Sequence, residues 1–528
     1  MTIQYRFSSI LSTGGERIAL APSGVTCVVG GNNVGKSQLL RELRDLAYEE
    51  PTNGRVVAEK VEASVPEGSK DESLDWLRRH AVRYDLKPGE NEHFAMRIGD
   101  HGITLEGFHF WVNAGSEQLH MGNIAPFFVE YAPAGTLSQY AAGFIDPSAR
   151  ESNYALLKLR ASGELERELS ALIAEAFGEN LIMDRLDVQT RLRVGSINVP
   201  VPPFDSPTQA YADALSELPT LDVQGDGFRS FVGIASLVLT HRFDVLLVDE
   251  PEAFLHPGQC RVLGRWLASQ AASKNMQLIV STHDRDFVLG LLSVADTAPV
   301  NLLRLTRSSN KTHFTQISPD MVSDVWSTPV LRYSNVLQGL FHRKVVVCES
   351  DADCRFYSAA LDDLAMKRNR RAVADDTLFV PASGKAGIPS VLKAVASLGV
   401  EAWAFPDFDV LQKKAELRNI VEAMGSSWDA HLDELYTETV RQANQDKMWG
   451  QLKVSGLQAL PAGSVYMSAR ELLKRLTSIR IHLVPSGEME SFAKHLSGHS
   501  TQWVSAALHE RVHESEAVAR FVAPVLSD

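Results

Sequence analysis

At 528 residues the chain is long enough for two to four domains, and its 45% hydrophobic and 22% charged residues are those of a globular protein. A net charge of −13 argues against a surface coated for nucleic-acid binding, and no run of about 18 apolar residues is present to span a membrane. Cys27, Cys260, Cys348 and Cys354 lie scattered with no CxxC pair, which argues against a zinc module and for a reduced, cytoplasmic protein; no basic-then-apolar leader opens the sequence.

The first chemical signal is GVTCVVGGNNVGKSQLLRELRDL, which reads as strand, glycine-rich loop and helix. Gly30 to Ser37 fits GxxxxGK[ST], a loop whose backbone N–H groups wrap phosphates, with the lysine reaching the β- and γ-phosphates and the hydroxyl holding Mg²⁺. Gly30, Asn33, Gly35, Lys36 and Ser37 are therefore candidate ATP ligands. From about 55 to 131 polar and apolar residues alternate between turn signals, which predicts an antiparallel sheet. Ser152–Phe177 has helical periodicity with both charge signs and opens a helical insertion of about 150–215, an arm or a dimer contact.

Gly225 and Gly227 in QGDGFRSFVGIASLVL open a second helix, another anion site. In FDVLLVDEPEAFLHP, Asp249 ends a buried strand and can bind the Mg²⁺ shell, while Glu250 can polarise the attacking water. His283, after the apolar strand of NMQLIVSTHDRDF, is placed to report a γ-phosphate.

The pattern restarts beyond 325–343. Strands at 344–348, 377–381 and 401–406 alternate with helices at about 352–365 and 387–398, which implies a parallel sheet, followed by helical sequence from about 411. This part, from residue 340 on, carries 22 basic against 24 acidic residues, so most of the negative charge lies upstream. Glu349 and Asp353 follow its first strand at ExxxD spacing; Asp407 and Asp409 follow its third; Lys385 lies in the loop between. Carboxyl ends of parallel strands share one crevice, so these acids are expected to converge as hard oxygen ligands for Mg²⁺ or Mn²⁺. After a further strand-like run, Glu488 or Glu490 completes a metal shell. Lys494 rivals Lys385 as the lysine of this site.

The motifs up to about residue 335 resemble an ABC-type ATPase head of the RecF-like kind, although an LSGG-like core is missing from the GDGFRS segment. The order Glu349, Asp407-x-Asp409 in residues 340–528 resembles the Toprim fold, with a helical insertion of about 411–475. Together they resemble the OLD (overcoming lysogenisation defect) family of ATP-dependent nucleases, which includes the nuclease of Gabija-type defence systems. The resemblance implies an α/β protein in which ATP and Mg²⁺ drive a homodimer or higher homo-oligomer of the heads. It implies a Toprim site in which Glu349 and Asp353 hold one metal, Asp407 and Asp409 the other, and Glu349 acts as general acid or base. It further implies cutting of nucleic acid, DNA favoured and RNA or tRNA as the variant, in anti-phage defence beside a partner protein. The alternative is a DNA-clamping repair-type ATPase whose second half binds metal or nucleic acid without cutting.

Overall fold

A computed structural model describes residues 3–48, 55–84, 93–95, 102–114, 120–141, 154–186, 190–203, 206–240, 243–318, 320, 327–328 and 335–527. The chain divides into two compact units, Met1–Pro319 and Asp320–Asp528.

The first unit contains strands β1 (Arg6–Ser12), β2 (Arg17–Ala19), β3 (Gly24–Val29), β4 (Ala58–Ser64), β5 (Val82–Tyr84), β6 (His93–Ala95), β7 (Ile103–Thr104), β8 (Val129–Pro133), β9 (Leu181–Asp184), β10 (Arg191–Val194), β11 (Val245–Asp249), β12 (Gln277–Ser281), β13 (Val300–Ser308) and β14 (Lys311–Ile317). Its central sheet runs β14-β13-β3-β12-β11-β8, parallel except for the β14 edge. β3 and β12 are buried along their whole length, which is why they read as unbroken apolar runs rather than as alternation. Register sets Asp249 beside Ser281 and Ser281 beside Val28, so the loops after β3, β11 and β12 open on one edge.

A second sheet, β2-β1-β4, is antiparallel. β1 is fastened to the central unit by Asp244, which accepts the Tyr5 N–H at 2.6 Å and pairs with Arg6 at 3.2 Å.

The antiparallel expectation for 55–131 is met by β4 and by the small sheet β5-β6-β7, but among the described residues three α-helices interrupt it, Lys70–His80, Leu105–Ala114 and Ala125–Phe128. The first starts at Ser69, which forms a reciprocal capping box with Glu72 that outweighs the alternation around it. The helical stretch after 152 is two helices, Tyr154–Ala161 and Gly163–Phe177, separated by Ser162, whose hydroxyl caps the second at the Leu165 N–H. These pack on the helices Asp226–Thr240 and Pro257–Ser273, burying Leu169, Leu172 and Ile173, so the segment is not a free arm.

In the second unit β15 (Lys344–Cys348), β16 (Thr377–Pro381) and β17 (Glu401–Phe405) form a parallel sheet of order β16-β15-β17. Helices Asp351–Lys367 and Ile388–Ser397 connect the strands. Six more α-helices follow among the described residues, Lys414–Ala423, Ala430–Gln445, Trp449–Ser455, Ser464–Ser478, Thr501–His509 and Glu516–Val522. The strand-like run expected before Glu488 makes a single bridge, Ile481 to Ala404. Phe356, Tyr357, Phe405 and Trp503 are wholly buried and form, with Phe521, an aromatic core beneath the sheet. Lys344 is equally buried; its ammonium donates to the Val525 carbonyl at 2.7 Å and so ties the 523–527 turn to β15.

Candidate active sites

The glycine-rich loop joins β3 to the helix Lys36–Tyr48, as its sequence requires. Gly30 has φ 144°, and a Cβ there would lie 2.4 Å from the Leu305 carbonyl oxygen, so only glycine fits the start of the loop. Asn33 takes a left-handed φ of 60°, which asparagine tolerates. Lys36 is buried, and its ammonium donates to the carbonyls of Gly30 (2.9 Å) and Gly31 (2.8 Å). The loop is thereby closed on its own lysine; phosphate oxygens are the acceptors that would replace those carbonyls. Gly35 and Ser37 stand half-buried at the helix N-terminus.

Asp249 accepts a hydrogen bond from the Ser281 hydroxyl, and burial, then the charge of Asp249, raises the pKa of Tyr131 on β8. Glu250 has φ 52°, and its Oε1 lies 2.5 Å from His283 Nε2. The acid and the histidine expected on separate loops are thus in contact, a positioned pair at the strand edge. Neither Tyr131 nor Glu252 stood out in the sequence. Glu252 accepts from the Thr282 hydroxyl (2.6 Å) and the His283 N–H (3.0 Å), so it sets the backbone that carries His283. Burial pushes the Glu252 carboxyl up to about 7, against its hydrogen bonds with Thr282 and His283.

Gly227 lies in the first turn of the helix Asp226–Thr240, as expected. A Cβ on it would fall 2.3 Å from the Phe254 carbonyl oxygen, so this helix start packs backbone to backbone on the segment after Glu252. Gly225 and Asp226 are exposed there, beside Phe254, which is 73% exposed.

In the second unit the acids lie on the loops after β15 and β17 and on the 488–490 segment. Glu349 Oε1 accepts the Asp407 N–H at 3.1 Å, bridging the β15 and β17 ends. The Gly384 N–H donates to the Glu349 carbonyl at 2.7 Å, which folds the Ser383–Gly384 turn over β15 and presents Lys385 Nζ to Asp409 Oδ2 at 3.0 Å. The Phe408 N–H donates to the Gly487 carbonyl at 2.8 Å and so brings Glu488 to the same crevice. Burial, then Glu349, Asp353, Asp409 and Glu488 in turn, push the Asp407 carboxyl up to about 9. Burial, reinforced by Asp409 and Asp353, pushes Glu349 up to about 7, against the Asp407 N–H and Lys385. Asp353 is raised, chiefly by burial.

Not every acid is free for a metal. Asp353 Oδ2 accepts from the Ser350 N–H (2.9 Å) and hydroxyl (2.7 Å) in the capping box of its own helix. Glu490 Oε1 accepts the Ser500 N–H at 3.0 Å and faces His499. Among the described residues no three His, Cys, Asp or Glu side chains are gathered closely enough to hold a metal ion as placed. Two ammonium groups pair with these acids: Lys385 with Asp409 at 3.0 Å, and Lys453, which the sequence did not single out, with Glu488 at 3.4 Å. Asp409 Oδ1 is buried with no hydrogen-bond partner. An orphaned carboxylate oxygen is the kind of hard donor that Mg²⁺ or Mn²⁺ takes, but as placed the acids do not converge on one ion. Lys494 pairs with none of these acids and donates to the Ser455 hydroxyl at 3.0 Å.

Residues 154–290 match the model of the AAA domain described as a putative AbiEii toxin of a type IV toxin–antitoxin system. That span includes Gly227, Asp249, Glu250 and His283. The first unit thus combines this AAA-domain match with a phosphate loop, the Asp249–Glu250 pair and His283 on one sheet edge, the parts of a P-loop ATPase. An uncharacterized protein of Methanocaldococcus jannaschii, MJECL11, is 32% identical over 71 residues, which is 13% of this chain and 62% of that protein. Solved structures give distant likenesses. An SMC head bound to the C-terminal winged helix of ScpA aligns at 11% identity and TM-score 0.36, covering 60% of this chain and 99% of its own. The SMC head domain of Thermotoga maritima aligns at 14% and 0.30, covering 60% of this chain and 100% of its own. Among the described residues no helix is long and apolar enough to cross a membrane.

Proposed function

We propose that the second unit is a Toprim-type, divalent-metal-dependent nuclease and that ATP bound by the first unit regulates it. The observation that carries this reading is that the Glu349–Asp407 hydrogen bond joins two acid loops beside Asp409, whose Oδ1 is left orphaned. A structural unit gains nothing from an unpaired buried carboxylate oxygen, whereas a hard cation would use it. Glu349, Asp407, Asp409 and Glu488 are the residues that would hold Mg²⁺ or Mn²⁺, with Asp353 and Glu490 behind them. When bound, the ions supply activated water and charge stabilisation at the leaving oxygen of a phosphodiester. The chain's own part is to fix the carboxylates through the Glu349–Asp407 and Phe408–Gly487 hydrogen bonds and to hold cationic Lys385 at the crevice.

In the first unit ATP and Mg²⁺ would be held by the 30–37 loop, Ser37 and Asp249, with Glu250 and His283 at the γ-phosphate. Exposed Gly225, Asp226 and Phe254 support a homodimer or higher homo-oligomer in which this surface meets nucleotide on another copy. The substrate is nucleic acid, DNA before RNA or tRNA. Anti-phage defence with a partner protein is the setting that the OLD resemblance implies, and the description of the matched AAA domain as a toxin agrees with it.

The test is incubation of the full chain with plasmid, linear DNA and RNA in Mg²⁺ or Mn²⁺, with and without ATP. Metal-dependent cutting lost in Asp407→Asn is the expected result. Nucleic-acid binding and ATP hydrolysis without cutting would overturn it in favour of a DNA-clamping ATPase.

A further inference from the structure

We propose that Lys453, delivered by the helix Trp449–Ser455, is a binding residue for the nucleic-acid backbone phosphate at the acid crevice. This deepens the nuclease reading and rests on it.

The helix belongs to the helical region that follows β17, far in sequence from any acid motif. Its C-terminal end is joined to the acid segment through close backbone contacts, with the Lys494 side chain on the Ser455 hydroxyl beside them. Gly487 has φ 118°, and a Cβ there would lie 2.1 Å from the Lys453 carbonyl oxygen; the Leu457 N–H donates to the Pro485 carbonyl at 3.0 Å. The same Gly487 carbonyl receives the Phe408 N–H, so the lysine, Glu488 and the 407–409 turn are joined by one continuous set of main-chain contacts. Lys453 Nζ lies 3.4 Å from Glu488 Oε2 and feels Asp409 and Asp407 as well.

An ordinary surface ion pair has no such support. Its partners are long, mobile side chains, and little is lost when they part. Here the main chain of Lys453 is fixed against the segment that carries its partner, and the partner is nearly buried while the lysine side chain is 52% exposed. The exposed ammonium stands at the rim, on the Glu488 side, and Lys385 stands on the Asp409 side. Two ammonium groups flanking one acid crevice match the charge of a polyanionic strand laid across it. Glu488 holds the lysine until carboxylate and phosphate claim their own partners.

The test is binding of a fluorescein-labelled duplex and of a single strand by the full chain, in EDTA and in Ca²⁺, across a salt series. In Lys453→Gln, affinity at low salt should weaken about tenfold and the slope of log affinity against log salt should fall by about one. Lys453→Arg should restore both, and neither variant should change ATP hydrolysis or the melting profile. Cutting in Mg²⁺ should fall in parallel for Lys453→Gln. Unchanged affinity and slope, or failure of arginine to restore them, would overturn the inference. Wild-type protein that binds without cutting would overturn the nuclease reading and not the phosphate contact; wild-type protein that binds no nucleic acid would overturn both.

Discussion

Glu349 Oε1 accepts the backbone N–H of Asp407 at 3.1 Å, so a carboxylate at the end of β15 is fastened to the acid that follows β17. The two loops are held together by one of the charges that should drive them apart.

This arrangement costs stability when no cation is present, and the cost depends on pH. Glu349 rises from 4.5 to about 7 and Asp407 from 3.8 to about 9 on folding. The folded state binds more protons than the unfolded one between these limits, so the contribution to stability is whole below about 4 and is lost as pH rises toward about 9. In EDTA, the second unit's melting temperature should fall from pH 5 to pH 9, and Asp407→Asn should flatten the fall and raise the value at pH 8 by several degrees, roughly 2–4 °C per kcal/mol. Differential scanning calorimetry checks this; a flat profile in wild type would contradict it.

Lys36→Ala should reduce ATP hydrolysis about 100-fold or more, because the ammonium is the loop's internal donor. Glu250→Gln should lower turnover by a similar factor and leave ATP binding intact. Steady-state phosphate release and nucleotide binding separate the two.

Glu252 offers a test away from the nucleotide. Its removal leaves the Thr282 hydroxyl without an acceptor, although that oxygen still receives the Asp284 N–H, and leaves the His283 N–H without a partner. Glu252→Ala should cost about 1–3 kcal/mol in urea unfolding. It should also lower ATP turnover about tenfold or more by displacing His283.

Gly487→Ala forces a Cβ to within 2.1 Å of the Lys453 carbonyl at φ 118° and should destabilise the second unit by about 2 kcal/mol or more. Gly425→Ala, at φ 77° with open space around it, should cost less. Denaturant midpoints of the two variants make the comparison.

Local signals were legible and distant ones were not. The phosphate loop, Asp249, Glu250 and His283 each sit at the end of an apolar strand, so motif and position coincide. The Ser350-x-x-Asp353 spacing was readable in two ways, as half of an acid pair and as a capping box, and the hydrogen bonds show the second. Ser69-x-x-Glu72 carried the same capping signal, masked by the alternation around it. Glu252 and Lys453 had no such signature. Glu252 acts through residues on the loop after β12, and Lys453 reaches Glu488 only because Gly487 lets two backbones touch. Residues whose role depends on packing between elements far apart in sequence leave no local pattern to read.

The most direct measurement is anomalous scattering at the manganese edge from crystals soaked in Mn²⁺. Peaks within coordination distance of Glu349, Asp407 and Asp409, with Lys385 withdrawn from Asp409, are the predicted result. A crevice without manganese, with Lys385 still on Asp409 and Lys453 still on Glu488, would contradict the account.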